Sequence, residues 1–181
     1  MYNELVELLR EQGVVIDRGL SKSEIIHIEK EYEISFPREW KQFYSIVLPI
    51  SDGFYNWRDS SSENIGYIKE VINTPVRELL EDIDSIYWCD KWGEEPTERE
   101  KRRKIIIKKM EDAPKLIPIY SHRYLASIEV KENPIFSISG SDIIYYGESL
   151  FSYFQIEFGL KKYDTIYCDN ISYIPFWSDM I

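Results

Sequence analysis

Cysteine and histidine are scarce in this chain of 181 residues, which holds two of each. Cys89 and Cys168 have no CxxC spacing and no third partner, so a disulfide framework and a zinc site are both excluded. Each thiol is expected to be buried as a small apolar group. His27 lies among Glu24, Lys30 and Glu31 with no further ligands nearby, so it is expected at the surface and no metal is expected. GxGxxG and GxxxxGK[ST] are both absent, which removes the two glycine-rich phosphate cradles. No apolar run approaches the roughly 18 residues that span a bilayer. MYNELVELLREQ lacks the basic leader and apolar stretch of a secretory signal. A soluble, cytoplasmic protein without membrane contact is the expectation.

Positive charge is also short: 22 Lys and Arg stand against 32 Asp and Glu, a formal net of −10. Such a field repels phosphate backbones and so disfavours nucleic acid. It speeds encounter with a basic protein, although on charge alone plain solubility is the stronger reading. Aromatic residues, by contrast, are abundant at 15%, with 14 Tyr and 5 Trp inside a 44% hydrophobic composition. A chain this apolar forms a core rather than a disordered ensemble. Its length suits one domain over residues 1–181. Tyr and Trp also anchor interfaces, because they bury large areas at little entropic cost.

Along the chain, Leu5, Leu8 and Leu9 share a face over residues 2–12 and Gly13 follows as a stop, which predicts a first helix. VVI at 14–16 reads as a brief extended piece. Ser21 and Glu24 form a capping box for a helix carrying Ile25, Ile28 and Tyr32. Pro37 opens the next, with Trp40, Phe43, Tyr44 and Val47 as its stripe and Pro49 at its end. SSSEN at 60–64 reads as a turn, and Thr74-Pro75 as the cap of a helix facing inward through Val76, Leu79, Leu80, Ile83 and Tyr87. Thr97 and Glu100 form a second capping box, for a charged helix that turns Ile106, Ile107 and Met110 inward. From residue 115 the period changes to short β-branched and aromatic runs, KLIPIYSHRYLASIEV, NPIFSIS and DIIYYG, divided by Pro, Asn, Gly and Ser, which predict a small antiparallel sheet. ESLFSYFQIEFG returns to helical spacing, and the apolar tail should dock. Helices first and strands later, without βαβ alternation, predict an α+β fold.

Groups able to do chemistry are few. His122 with Arg123 at a strand edge has the types for acting on a phosphate, but a structural histidine is the stronger reading. Ser139-Gly140-Ser141-Asp142 lacks GxSxG and reads as a hairpin. No carboxylate pair stands out, so neither catalytic nor cofactor-binding residues are assigned. Arg99, Lys101, Arg102, Arg103 and Lys104 are flanked by acids and read as a solvated helix face.

Two stretches mix rings with charges. LPISDGFYNWRD at 48–59 places three aromatic residues in a turning segment; its reading is framework, with Phe54 and Trp57 folded back. Asp52, Tyr55, Arg58 and Asp59 are its candidates for facing a partner. The stretch from Glu78 to Glu100 carries Glu81, Asp82, Asp84, Asp90, Glu94 and Glu95, interrupted by Trp88 and Trp92. Carboxylates with aromatic anchors suit a basic protein partner; a half-buried helix with solvated charges fits the pattern equally.

The order LSKSEIIHIEKEYEISFPREWKQFYS, followed later by PIFSISGSDIIYYGESLFSYF, resembles the SUKH superfamily, the Smi/Knr-like group. The resemblance covers most of the chain, and residues 85–112 depart from a minimal member. It implies helices packed on one face of a mostly antiparallel sheet. It also implies an immunity protein that neutralises a cognate toxin domain, or, as in fungal relatives, a regulatory interaction scaffold. It carries over no catalytic residue, since Leu20, Glu24, Glu29, Pro37, Trp40 and Phe43 match as framework positions.

Overall fold

The structure is a computed structural model that describes residues 2–168 and 171–181. Helix α1, Tyr2–Glu11, buries Leu5, Val6, Leu8 and Leu9 and stops before Gly13, whose φ of 75° suits glycine. Strand β1, Ile16–Arg18, follows two residues later than the expected extended piece. In α2, Lys22–Tyr32, the predicted capping box is formed. The Glu24 amide donates to Ser21 Oγ at 3.2 Å and the Ser21 amide to Glu24 Oε2 at 2.7 Å. Pro37 is the N-cap of α3, Arg38–Ile46, which buries Trp40, Phe43 and Tyr44. This helix ends earlier than Pro49. Residues Val47–Pro49 form β2 instead, because Val47, Leu48 and Pro49 align antiparallel against β1 and a β-branched residue suits that edge.

Helix α4, Ser62–Glu81, overturns two expectations. The serines read as a turn are its start: Ser61 is the N-cap and accepts from the Asn64 amide. Thr74-Pro75, read as the cap of a new helix, lies inside this one. Pro75 has no N–H to give the Val71 carbonyl, and the Tyr124 hydroxyl reaches that oxygen from the sheet at 3.5 Å. Beyond Pro75, Leu79 and Ile83 are buried as expected, whereas Val76 and Tyr87 are exposed.

A single 3₁₀ turn at Asp90–Trp92 leads to α5, Arg99–Met110. The expected Thr97–Glu100 box is not made; Glu98 holds the N-cap without a side-chain bond. Ile106 is buried but Ile107 is exposed, and the inward position one turn earlier belongs to Arg102.

Strands β3 (Leu116–Tyr120), β4 (Arg123–Ala126), β5 (Ile135–Ser139) and β6 (Asp142–Gly147) form an antiparallel meander in sequence order. Helix α6, Leu150–Glu157, packs on β6 and ends before Gly159, and the tail docks through Ile174, Phe176, Trp177 and Met180. The fold is α+β, with helices against a sheet. Successive strand residues point to opposite faces, and here they join different clusters. Leu125 and Ile135 belong to a core with α1, α2, α3 and α6; Tyr124, Ala126 and Phe136 belong to another with Leu79, Trp88, Trp92, Ile106 and the tail. One covered face was expected; the second is covered as well. Cys89 is buried in this second core, but Cys168, expected to be buried too, is exposed.

Candidate functional site

The loop at 50–59 is built into the first core. Phe54 bridges to Tyr120, its ring 4.8 Å from that of Tyr120. Gly53, with φ 91°, lies so close that a Cβ would meet the Tyr120 ring at 2.6 Å. The buried Tyr55 gives its hydroxyl proton to the Ser121 carbonyl at 2.7 Å. Trp57 is 3% exposed and meets Tyr32 and Phe36 edge-on, each at 5.3 Å.

Arg58 spends its guanidinium internally. It donates to Glu24 Oε1 at 2.9 Å and to the carbonyls of Arg18 and Gly19 at 2.7 and 3.0 Å, and it pairs with Asp17. Arg18, the Ser21 amide and Arg58 together hold the Glu24 carboxyl far below its usual range. Asp59 is exposed but accepts from the Ser61 amide at 2.9 Å, and Asp52 is exposed at the turn. Tyr55 and Arg58, candidates for facing a partner, are therefore corrected to framework: burial takes the ring, and two carbonyls and two carboxylates take the cation.

The segment from Glu81 to Glu95 is built differently. Trp88 and Trp92, candidates for presented anchors, are each 9% exposed and turned into the second core, which corrects that reading of them. Their rings meet edge-on at 5.4 Å, and Trp92 stacks on Phe176 at 5.8 Å. The Trp88 indole donates to the Gly93 carbonyl at 2.8 Å and the Trp92 indole to Asp179 at 3.3 Å. Both rings are thus consumed by packing that holds the loop from below.

The carboxylates point the other way. Glu81, Asp82, Asp84, Asp90, Glu94 and Glu95 are all exposed. Asp82 accepts from Ser141 at 2.8 Å, Asp84 pairs with Arg99 at 2.8 Å, and Glu95 pairs with Arg102. Hydrogen bonds from Ser85 and Ser141 lower the Asp82 pKa. Among the described residues, Glu81, Asp90 and Glu94 pair with no cation.

Arg102 was missed by sequence reading and organises this segment. Buried to 6% exposure, it donates to the Ile83 carbonyl at 2.9 Å and to the Ile86 carbonyl, and its guanidinium lies 5.3 Å from the Trp88 ring centroid. Its spacing with Ile106 and Met110 is the signal that was available: three residues at i, i+4 and i+8 share a helix face.

His122 sits at the β3–β4 turn. Arg123 can only donate, so His122 Nε2 accepts from it; the neutral ring then carries its hydrogen on Nδ1, which faces Ser121 Oγ at 3.2 Å. Burial, and then Arg123, lower the His122 pKa and favour that neutral form. A ring so held gives a proton toward Ser121 instead of taking one, the reverse of nucleophile activation. Arg123 also binds Glu157 at 3.0 Å and Ser137 at 2.7 Å. Ser139–Asp142 is the expected β5–β6 hairpin.

No family model matches the chain, and no curated protein or solved structure does. Among the described residues no group of three or more His, Cys, Asp or Glu is placed to hold a metal, and no helix is long and apolar enough to cross a membrane. What the arrangement offers is an acidic surface whose backbone is held from beneath and whose charge is only partly compensated, Glu81, Asp90 and Glu94 having no cation among the described residues.

Proposed function

We propose that this chain is a non-enzymatic inhibitor, an immunity protein of SUKH type that binds a basic cognate toxin domain and covers its active surface. The order of sequence motifs supports the family, and one observation carries the mode of action. The carboxylates between Glu81 and Glu95 are exposed on a segment locked from beneath by Trp88, Trp92 and Arg102. Fixed charge needs no reordering on binding, so little conformational entropy is lost when a partner arrives. Nine carboxylates against Lys91 and Arg99 between Glu78 and Glu100 concentrate negative potential there. Such a field speeds encounter with a cationic surface and falls off with salt. A toxin that uses basic residues to hold phosphates would meet its substrate's charge in protein form.

The test takes a candidate basic toxin domain from the reading frames that neighbour this chain. Its association rate with the purified protein should fall on the order of tenfold from low to physiological salt. Replacing Glu81, Asp90 and Glu94 together by Gln, Asn and Gln should slow association while moving folding stability by less than about 0.5 kcal/mol. A rate indifferent to salt and to these substitutions removes the electrostatic mechanism. Absence of both binding and protection of toxin-expressing cells would turn the reading to the regulatory scaffold.

A further inference from the structure

Helix α4 leaves a second surface open, of opposite character. Ile72, Val76 and Leu80 recur every four residues and form one wall of a groove of about 590 Å³. Met110, Ala113 and Leu116 form the other, with Trp177 also lining it. The stripe runs about 12 Å at 1.5 Å of rise per residue. This volume lies within the range of small-molecule sites. Val76, 39% exposed, is an apolar residue that the fold leaves in contact with solvent.

The polar residues on this groove are mostly cationic: Arg77, Arg103 and Lys115 stand with Asn73 and one carboxylate, Glu81. In a chain of net charge −10 this sign is unexpected. Arg77 pairs with Glu70, and Lys115 with Glu33 at 2.9 Å; both pairs are exposed enough to exchange with a competing anion. Arg103 differs. It is half-buried and gives one N–H to the Leu80 carbonyl at 3.1 Å, and among the described residues no carboxylate pairs with it. A guanidinium presents five donors in a planar fork that matches a carboxylate. Here most of that fork is unspent beside an apolar wall, where a charge-assisted bond is strong because water is partly excluded.

We propose that this groove binds an aliphatic carboxylate, its chain laid along Ile72, Val76 and Leu80 and its head group on the unspent edge of Arg103. The chemistry needs both parts. An apolar chain alone leaves Arg103 without a counterion, and a small anion alone leaves the stripe wet.

Calorimetric titration of the full chain tests this with decanoate below its micelle-forming concentration, alongside decanol and decyltrimethylammonium. Decanoate should bind at one site, with decanol at least about tenfold weaker and the cation weaker still. Affinity should rise about threefold to fourfold for each methylene from octanoate to decanoate. Arg103→Gln should bring decanoate down to the level of decanol. Val76→Asp, at an exposed position that folding tolerates, should abolish binding of both, so a folding defect in the Arg103 variant leaves the test intact. The proposal is overturned if decanoate shows no saturable binding, if decanol binds equally well, or if neither substitution changes the affinity.

Discussion

Two stretches of this chain have the same ingredients and opposite outcomes. The loop at 50–59 and the segment at 81–95 both set tryptophan and tyrosine among charged residues, and in both the tryptophans turn inward. The difference lies in what happens to the charges. In the loop, Arg58 is consumed by Glu24, Asp17 and two carbonyls, and Asp59 by an amide. In the segment, one buried arginine closes the backbone from below while Glu81, Asp90 and Glu94 keep their charge for the solvent. Rings beside charges therefore do not mark a docking surface. Under the function proposed above, what marks one is charge left unneutralised on a backbone that the fold has anchored.

The sharpest break in this comparison is Trp57→Ala. It removes a nearly fully buried ring packed on Tyr32 and Phe36 and should cost about 3–5 kcal/mol in denaturant unfolding. Partner binding by the folded fraction should be unchanged, because this ring belongs to the other core. Next comes Arg102→Met, which leaves the Ile83 and Ile86 carbonyls without their donor and should cost about 2–4 kcal/mol. Here partner binding should fall as well, and amide exchange should show lost protection across 86–95 with the loop at 50–59 untouched. Equal effects of both substitutions on binding would erase the distinction drawn above.

The smallest effect is set by pH. Glu24 ionises below its ordinary value of 4.5 because the folded state favours its charged form. Its contribution is therefore full above that value and is lost as pH falls beneath it. Glu24→Gln should lower stability by about 1 kcal/mol at neutral pH, a figure scaled to a partly exposed pair. The gap to the unsubstituted protein, read as Tm, should narrow steadily in acid. A gap constant from pH 7 to pH 2 would remove the loop's charge network from the account.

Much of the fold was legible because its signals are local. The Ser21–Glu24 box, the stripe of Trp40, Phe43 and Tyr44, and the three β-type runs after residue 115 all depend on neighbours within a few residues, although the first of those runs folds as two strands, β3 and β4. Failures occurred where a distant residue decides. Pro75 reads as a helix start until Tyr124, far along the chain, is brought to the carbonyl that the proline leaves open. Trp88 and Trp92 read equally well facing out or in; Phe176 and Asp179 settle the direction of Trp92, and no spacing near it could. Within the candidate site the carboxylates were visible as composition, but the arginine that arranges them was hidden in a run of similar charges.

The proline in α4 also falls at a telling place. Ile68 and Ile72 pack into one core and Leu79 into the other, so the helix crosses between them at the point where its own ladder lacks a rung. It works less like a rod than like a shaft with a coupling in the middle. Both cores share this helix and alternate residues of β4 and β5, so loosening on one side reaches the other through the turn at Val71–Pro75, where a tyrosine hydroxyl from the sheet stands in for the missing amide.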